Sequence, residues 1–186
     1  MPGLTELTDA QLLARSRKGH EDAFAELYRR RQAGIYRFAL QMSGSPAVAE
    51  DVTQEVFMLL IRQPELYVPE RGSLASFLFG VARNHVLRAI ENERSREPLD
   101  EEDAPPVQPS VLANLARGEQ AEAVRQAVLS LPARYREVVA LCDLQELSYE
   151  EAAAALDCAV GTVRSRLHRA RTLLAEKLSR RTYELC

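Results

Sequence analysis

Between Val160 and Arg181 the chain places seven cations, Arg164, Arg166, Arg169, Arg171, Lys177, Arg180 and Arg181, against one anion, Glu176, although its formal net charge is −3. A solvated helix face usually mixes signs so that residues four apart can pair, and this stretch hardly does. Concentrated positive charge of this kind is the footprint of a nucleic-acid contact. Val163, Leu167, Ala170, Leu174 and Leu178 recur at three- and four-residue steps and predict a buried stripe. Ser165, His168, Arg169 and Thr172 then project opposite it, with Arg164 and Arg171 on one flank and Arg166 on the other. Arginine can hold guanine O6 and N7 with two hydrogen bonds, serine and histidine can meet a base or a phosphate, and Arg166 and Arg171 suit phosphates.

The elements that position these groups are legible just upstream. Ser148 followed three residues later by Glu151 is a capping box, so Ala152 to Leu156 should form a short helix. Asp157-Cys158-Ala159 interrupts it, and the basic helix restarts near Val160. The pair reads as a helix-turn-helix.

Further back, Thr8 with Gln11 opens a short helix that stops at Gly19. A longer one from Glu21 buries Phe24, Leu27, Tyr28, Ile35, Phe38, Ala39 and Met42 and ends at Gly44-Ser45-Pro46. A third, Ala47 to about Gln63, turns Val48, Val52, Val56, Leu59 and Leu60 inward and leaves Glu50, Asp51, Gln54 and Glu55 on its outer edge. Pro64, Pro69 and Gly72 mark a loop. Ser73 to about Arg96 reads as a fourth helix with a mostly basic surface of Arg83, Asn84, His85, Arg88, Arg94 and Arg96.

Residues 98–122 change character, with Pro98, Pro105, Pro106 and Pro109 and the acidic block Asp100-Glu101-Glu102-Asp103, and read as a flexible acidic linker. Helices follow from Ala123 to Leu131 and from Pro132, the latter with Tyr135, Val138, Val139, Leu141 and Cys142 inward. No strand-like alternation of useful length occurs. The expected fold is all-α: two small helical domains, 1–97 and 123–186, joined by the linker, the second carrying the helix-turn-helix.

The 186 residues, 46% hydrophobic and 27% charged, are ordinary globular material without a run of about 18 apolar residues. No basic and apolar leader pattern opens the chain, so a cytoplasmic location is expected. Three cysteines, Cys142, Cys158 and Cys186, show neither CxxC nor histidine at ligand spacing, and the first two should pack as small hydrophobes. No metal site, cofactor, phosphate loop or nucleophile and base pair is visible, and the chain is expected not to be an enzyme.

Two motif sets then carry a family resemblance over nearly the whole chain. Leu131-Pro132-Ala133-Arg134-Tyr135-Arg136-Glu137-Val138, Ser148 to Ala153 and Gly161 to Arg171 resemble the promoter-reading domain of bacterial extracytoplasmic-function (ECF) sigma factors. Ala49-Glu50-Asp51-Val52-Thr53-Gln54-Glu55-Val56-Phe57 resembles that family's polymerase-binding helix, and Gly72-Ser73-Leu74 to Arg83-Asn84 its promoter-melting region. The resemblance implies recognition of a minus-thirty-five element by Thr162, Arg164, Ser165, Arg166, His168, Arg169 and Arg171. It implies single-stranded minus-ten DNA at Tyr67, Glu70, Arg71, Ser73, Arg83, Asn84 and Arg88, with an extruded base held by the Tyr67 to Leu74 loop. It also implies a contact of Asp51, Gln54, Glu55 and Phe57 with core RNA polymerase. Transcription initiation, promoter DNA and a cognate anti-sigma factor as partners, and a linker running toward polymerase channels, follow in the same way. The chain departs from the family pattern at Phe77, where many relatives have tryptophan, at Ala159 in place of a hydroxyl cap, and at Asp157 where glycine is common.

Two other readings remain open at this point. A self-sufficient helix-turn-helix regulator would bind duplex operator without polymerase, usually as a dimer on half-sites about one helical turn apart. A decoy would bind polymerase and not DNA.

Overall fold

A computed structural model describes residues 3–96 and 115–184, except for the side chains of 94, 96, 115–120 and 180–184. The expected linker core, including Pro98 and Asp100 to Asp103, and Cys186 lie outside the described residues, as do the side chains of Arg94, Arg96, Arg180 and Arg181. Among the described residues eight α-helices follow one another: α1 (Asp9–Ser16), α2 (Glu21–Ser43), α3 (Pro46–Arg62), α4 (Leu74–Arg96), α5 (Leu115–Leu129), α6 (Ala133–Val139), α7 (Tyr149–Leu156) and α8 (Val160–Glu184). No strand occurs among the described residues. None of their helices is long and apolar enough to cross a membrane.

The helix boundaries follow from local chemistry. The Thr8 hydroxyl accepts the Gln11 amide at 3.3 Å while the Gln11 side chain accepts the Thr8 amide at 2.9 Å, which closes the capping box on α1. Gly44 ends α2 in the left-handed conformation, φ 75°, that lets its N–H bond the Leu40 carbonyl. Ser45 caps α3, with Pro46 in the first turn where its missing N–H is harmless.

Helices α1 to α4 pack around Leu12, Leu27, Ile35, Phe38, Met42, Val56, Leu60, Leu78 and Val86, each at most 2% exposed. Arg30 fastens the N-terminal segment to this bundle by donating to the carbonyls of Leu4, Thr5 and Leu7 at 2.9, 3.0 and 2.7 Å. Helices α5 to α8 pack around Val128, Leu131, Val138, Leu141, Ala152, Val163, Leu167 and Ala170.

The two halves touch. Helix α4 lies against α7 so closely that a Cβ on Gly80 would stand 3.1 Å from the Ala155 carbonyl oxygen, and only glycine fits there without displacement. Arg136 of α6 donates to the carbonyl of Met42, in the last turn of α2, and to that of Leu131 at 3.0 Å. A cation at a helix C-terminus is favourable, because the last carbonyls there lack helical partners.

Three expectations need correction. Helix α5 starts at Leu115, eight residues before the expected Ala123, inside the stretch read as linker. Tyr28 is 39% exposed instead of buried, because its ring rides on Phe57, 4.7 Å away, at the rim of the α2–α3 contact. The helix from Pro132 does not run on as one α-helix: Ala140–Leu144 form a π turn.

Candidate nucleic-acid and polymerase interface

The helix-turn-helix is built as its residues require. Ser148 Oγ accepts the Glu151 amide at 3.1 Å and the Glu151 carboxylate accepts the Ser148 amide at 3.0 Å. Asp157 makes the turn in the left-handed region, φ 49°, a conformation Asp tolerates better than most residues. The Ala159 carbonyl then receives the Thr162 and Val163 amides at 2.9 and 3.2 Å, starting α8 without a hydroxyl cap. Val163, Leu167 and Ala170 are at most 1% exposed, which fixes the rotation of the helix.

That rotation leaves Arg164, Ser165, His168 and Arg169 exposed on the outer face, with Thr162 half-buried beside them. The Arg164 guanidinium sits 5.8 Å from the centroid of the Tyr149 ring, and Ser165 Oγ donates to the Thr162 carbonyl at 3.1 Å. Of the three flanking arginines, Arg171 and Arg166 are engaged by carboxylates. Arg171 is held by both oxygens of Asp143, at 2.6 and 3.1 Å, and that hydrogen bonding raises its already high pKa. Arg166 donates to Glu137 Oε1 at 3.2 Å.

In the N-terminal half, Glu50, Asp51, Gln54 and Glu55 are exposed along α3 as the spacing predicted. Phe57 is not: it is 3% exposed and packs edge-on to Phe24 and Tyr28, so its role as a direct surface contact is corrected to that of an interior support. It forms part of the wall of a groove of about 690 Å³ between α2 and α3 with Phe24, Tyr28, Tyr36 and Ile61, and Glu50 and Gln54 at its edge. Sequence reasoning missed this groove. The available signal was Ile61, apolar yet off the core stripe of α3, and 55% exposed.

The loop between α3 and α4 folds into two tight 3-10 turns, Pro64–Leu66 and Pro69–Arg71, then Gly72 at φ 139°. Tyr67 lies with its ring 5.8 Å from that of Phe77 and donates its hydroxyl to the Gly72 carbonyl at 3.3 Å. Burial, then the neighbouring carboxylates Glu70 and Asp9, push the Tyr67 hydroxyl above its ordinary pKa. Glu70 and Arg71 are exposed. Ser73 caps α4 by accepting the Ser76 amide at 3.2 Å, and donates to Glu151 of α7 at 3.1 Å. Asn84 and Arg88 are exposed, but Arg83 is half-buried and donates to Glu137 Oε2 at 2.6 Å. A cavity of about 590 Å³ is lined by this loop and α4 on one side and by Ala154, Ala155 and Asp157 of the helix-turn-helix on the other.

The structure therefore brings the minus-thirty-five candidates together on α8 and the polymerase candidates Asp51, Gln54 and Glu55 on α3. Of the minus-ten candidates it brings Tyr67, Arg71, Ser73, Arg83 and Asn84 to one cavity, with Tyr67, Ser73 and Arg83 already bonded inside the protein, while Glu70 and Arg88 lie off its lining. Among the described residues no group of histidine, cysteine and carboxylate side chains could hold a metal ion. Cys142 is half-buried, and burial pushes its thiol up to about 11.

Comparison with known proteins gives the arrangement its context. Residues 27–96 match the Sigma-70 region 2 family and residues 121–174 match Sigma-70, region 4. The ECF RNA polymerase sigma-E factor of Escherichia coli K12 is 33% identical over 186 aligned residues, covering 93% of this chain and 95% of that protein. The ECF RNA polymerase sigma factor SigE of Mycolicibacterium smegmatis is 37% identical, and there the match spans 86% of this chain and 63% of the relative's length. CnrH, solved with the cytosolic domain of CnrY, superposes with a TM-score of 0.71 over 92% of this chain and 97% of CnrH, and at 24% identity bears on the fold. The sigma factor RpoE of Bartonella quintana, solved with the anti-sigma factor NepR, has a TM-score of 0.63 at 26% identity, over 80% of this chain and 91% of that one.

Proposed function

The chain belongs to the ECF RNA polymerase sigma factors, and we propose that it is a dissociable initiation subunit that joins core RNA polymerase, reads a two-part promoter and helps open it. The observation that carries this reading is the coexistence, in one chain, of the open DNA-facing side of α8 and the open acidic and amide edge of α3. A stand-alone regulator needs the first and has no use for the second.

Residues 123–186 are assigned to the minus-thirty-five element. Helix α8 enters the major groove with Arg164, Ser165, His168 and Arg169 toward the bases, Thr162 at its start, and Arg166 and Arg171 toward phosphates. Each good two-bond arginine contact discriminates by about 1–3 kcal/mol, and the phosphate contacts make affinity fall steeply with salt. Residues 1–97 are assigned to the minus-ten strand: Tyr67, Glu70, Arg71 and Ser73 surround an extruded base, and Arg83, Asn84 and Arg88 follow the backbone. Extrusion costs a few kcal/mol, which stacking and polar contacts must offset. Asp51, Gln54 and Glu55 meet the polymerase core, with Phe57 supporting their helix from beneath, and residues 98–122 connect the two domains.

The protein acts by binding and positioning, not as an enzyme, in the cytoplasm where polymerase and promoter are found. The Bartonella relative held by its anti-sigma factor supports a cognate anti-sigma factor as the controlling partner here.

Run-off transcription tests the assignment. The purified chain with bacterial core polymerase should initiate at a discrete site on fragments from upstream of its own operon, and Asp51→Ala with Gln54→Ala should abolish the product. Tight operator binding by the chain alone, with no transcript from any fragment, would replace this function with that of a stand-alone regulator.

A further inference from the structure

Glu137 is 2% exposed, yet it is a carboxylate, and both its oxygens are engaged: Oε2 by Arg83 of α4 and Oε1 by Arg166 of α8. It is the shared partner of one arginine from each half of the molecule. Those two arginines are also the ones assigned above to the minus-ten strand and the minus-thirty-five phosphates. Ser73, another minus-ten candidate, is bonded across the same seam to Glu151, and Gly80 of α4 is in close contact with Ala155 of α7. Helix α7 thus packs along the start of α4, at Ser73 and Gly80, while Asn84 and Arg88 further along stay exposed.

Arg83 and Arg166 stand on opposite oxygens of a single carboxylate, at 2.6 and 3.2 Å. Promoter elements centred 25 base pairs apart, as minus ten and minus thirty-five are, lie roughly 85 Å apart along the duplex at about 3.4 Å per pair. The closed arrangement cannot span them. Resting on the sigma-factor reading, we propose that Glu137 is an intramolecular latch that stands in for promoter phosphate, holding Arg83 and Arg166 together and the chain closed until polymerase and DNA replace it.

The energetics suit a reversible latch. A buried carboxylate loses hydration that its two guanidinium partners only partly return, so parting the halves exchanges the Arg83–Glu137 ion pair for water at little net cost, while Arg166, in the same half as Glu137, stays within its reach until DNA competes for it. DNA phosphates offer Arg83 once released, and Arg166 by exchange, the same charge-assisted contacts. Ligands that bind only the open form must pull the equilibrium toward it, and their apparent affinity is reduced by the fraction that is closed.

Small-angle scattering of the full chain tests this directly. Wild type should be compact, with a radius of gyration near the roughly 16 Å expected for a folded chain of this length. Glu137→Gln and Arg83→Gln should each shift the population toward a more extended form, while Asp143→Asn, which breaks an ion pair within the C-terminal half, should not. In run-off transcription, Glu137→Gln should lower the half-saturating concentration of the chain on core polymerase by about threefold to tenfold, as the closed fraction no longer reduces apparent affinity. If Glu137→Gln fails to fold, Arg83→Gln carries the scattering test, since its guanidinium is on the more exposed side of the pair. An expanded wild type, or unchanged radii in both latch variants, would overturn the latch. Polymerase-dependent transcripts from the same wild-type preparation would then show that the sigma reading stands without it.

Discussion

The two DNA-facing regions of this protein differ in how free their polar groups are. On α8, Arg164, Ser165, His168 and Arg169 stand exposed, with their helix fixed from behind by Val163, Leu167 and Ala170. Around the α3–α4 loop, Tyr67, Ser73 and Arg83 are each bonded within the protein, two of them across the seam to the other half. The first surface, if it reads duplex as proposed, already exposes its base-facing candidates, although Arg166 and Arg171 on its flanks are paired with Glu137 and Asp143. The second becomes available when the halves part, so the minus-thirty-five contact can precede the minus-ten contact without any change in the recognition helix itself.

Substitutions can break that contrast from either side. The largest effect is expected from Arg164→Ala with Arg169→Ala, which should reduce holoenzyme affinity for promoter duplex by about a hundredfold or more, measured by fluorescence anisotropy, with the melting temperature unmoved. The salt dependence of binding should flatten by about two counterions if both arginines also meet phosphates. Leu167→Ala, on the hidden side of the same helix, should do the reverse and lower stability by about 2–5 kcal/mol in chemical denaturation, because it leaves a cavity in a site 1% exposed.

Gly80→Val tests the seam. Its branched side chain would meet the Ala155 backbone, which cannot move aside as a flexible side chain could, and a loss of about 1–3 kcal/mol is expected. Ser148→Ala removes the cap of α7 and should cost about 1 kcal/mol, a fall of roughly 2–4 °C in melting temperature.

The smallest effect is a pH dependence at Cys142. Burial first, and Asp143 second, push its thiol up to about 11 from an ordinary value of about 9, with Arg171 opposing. The unfolded chain therefore ionises there first, so the contribution to stability is intact below about pH 9 and is lost between 9 and 11. The group is about half exposed, so screening keeps this under about 1 kcal/mol at pH 10. Cys142→Ala should remove that part of the difference between urea midpoints at pH 8 and pH 10.

Much of this molecule was legible in its residues. The capping boxes at Thr8 and Ser148, the stop at Gly44 and the apolar stripe of α8 are local signals, and each element begins or ends where they place it. The early start of α5 was hidden because the prolines and acidic block between Pro98 and Pro109 dominate the composition of the whole stretch. Leu115 to Ala121 follow them without a helix breaker other than Gly118. The Arg83–Glu137 pair joins positions 54 apart in sequence, and no periodicity records such a partnership. Counting Arg83 among surface cations was reasonable from its helix alone; only the packing of α4 against the second half reveals the carboxylate that receives it.

The π turn that follows α6 reaches further than its five residues suggest. In the π turn of Ala140–Leu144 the backbone accommodates one residue more than a regular helix would, the signature of a single-residue insertion tolerated inside a helix. The Gln145 amide reaches back to the Ala140 carbonyl at 3.0 Å, and the widened turn keeps Ala140 and Leu141 buried while Asp143 stays at the surface to clasp Arg171. Deleting one residue here would restore a regular helical ladder. It would also turn everything that follows by about 100°, taking Asp143 away from the recognition helix and re-aiming the entry into α7. The reading frame of the DNA-binding unit is in this sense set upstream of it, by an irregularity that a simpler helix would erase.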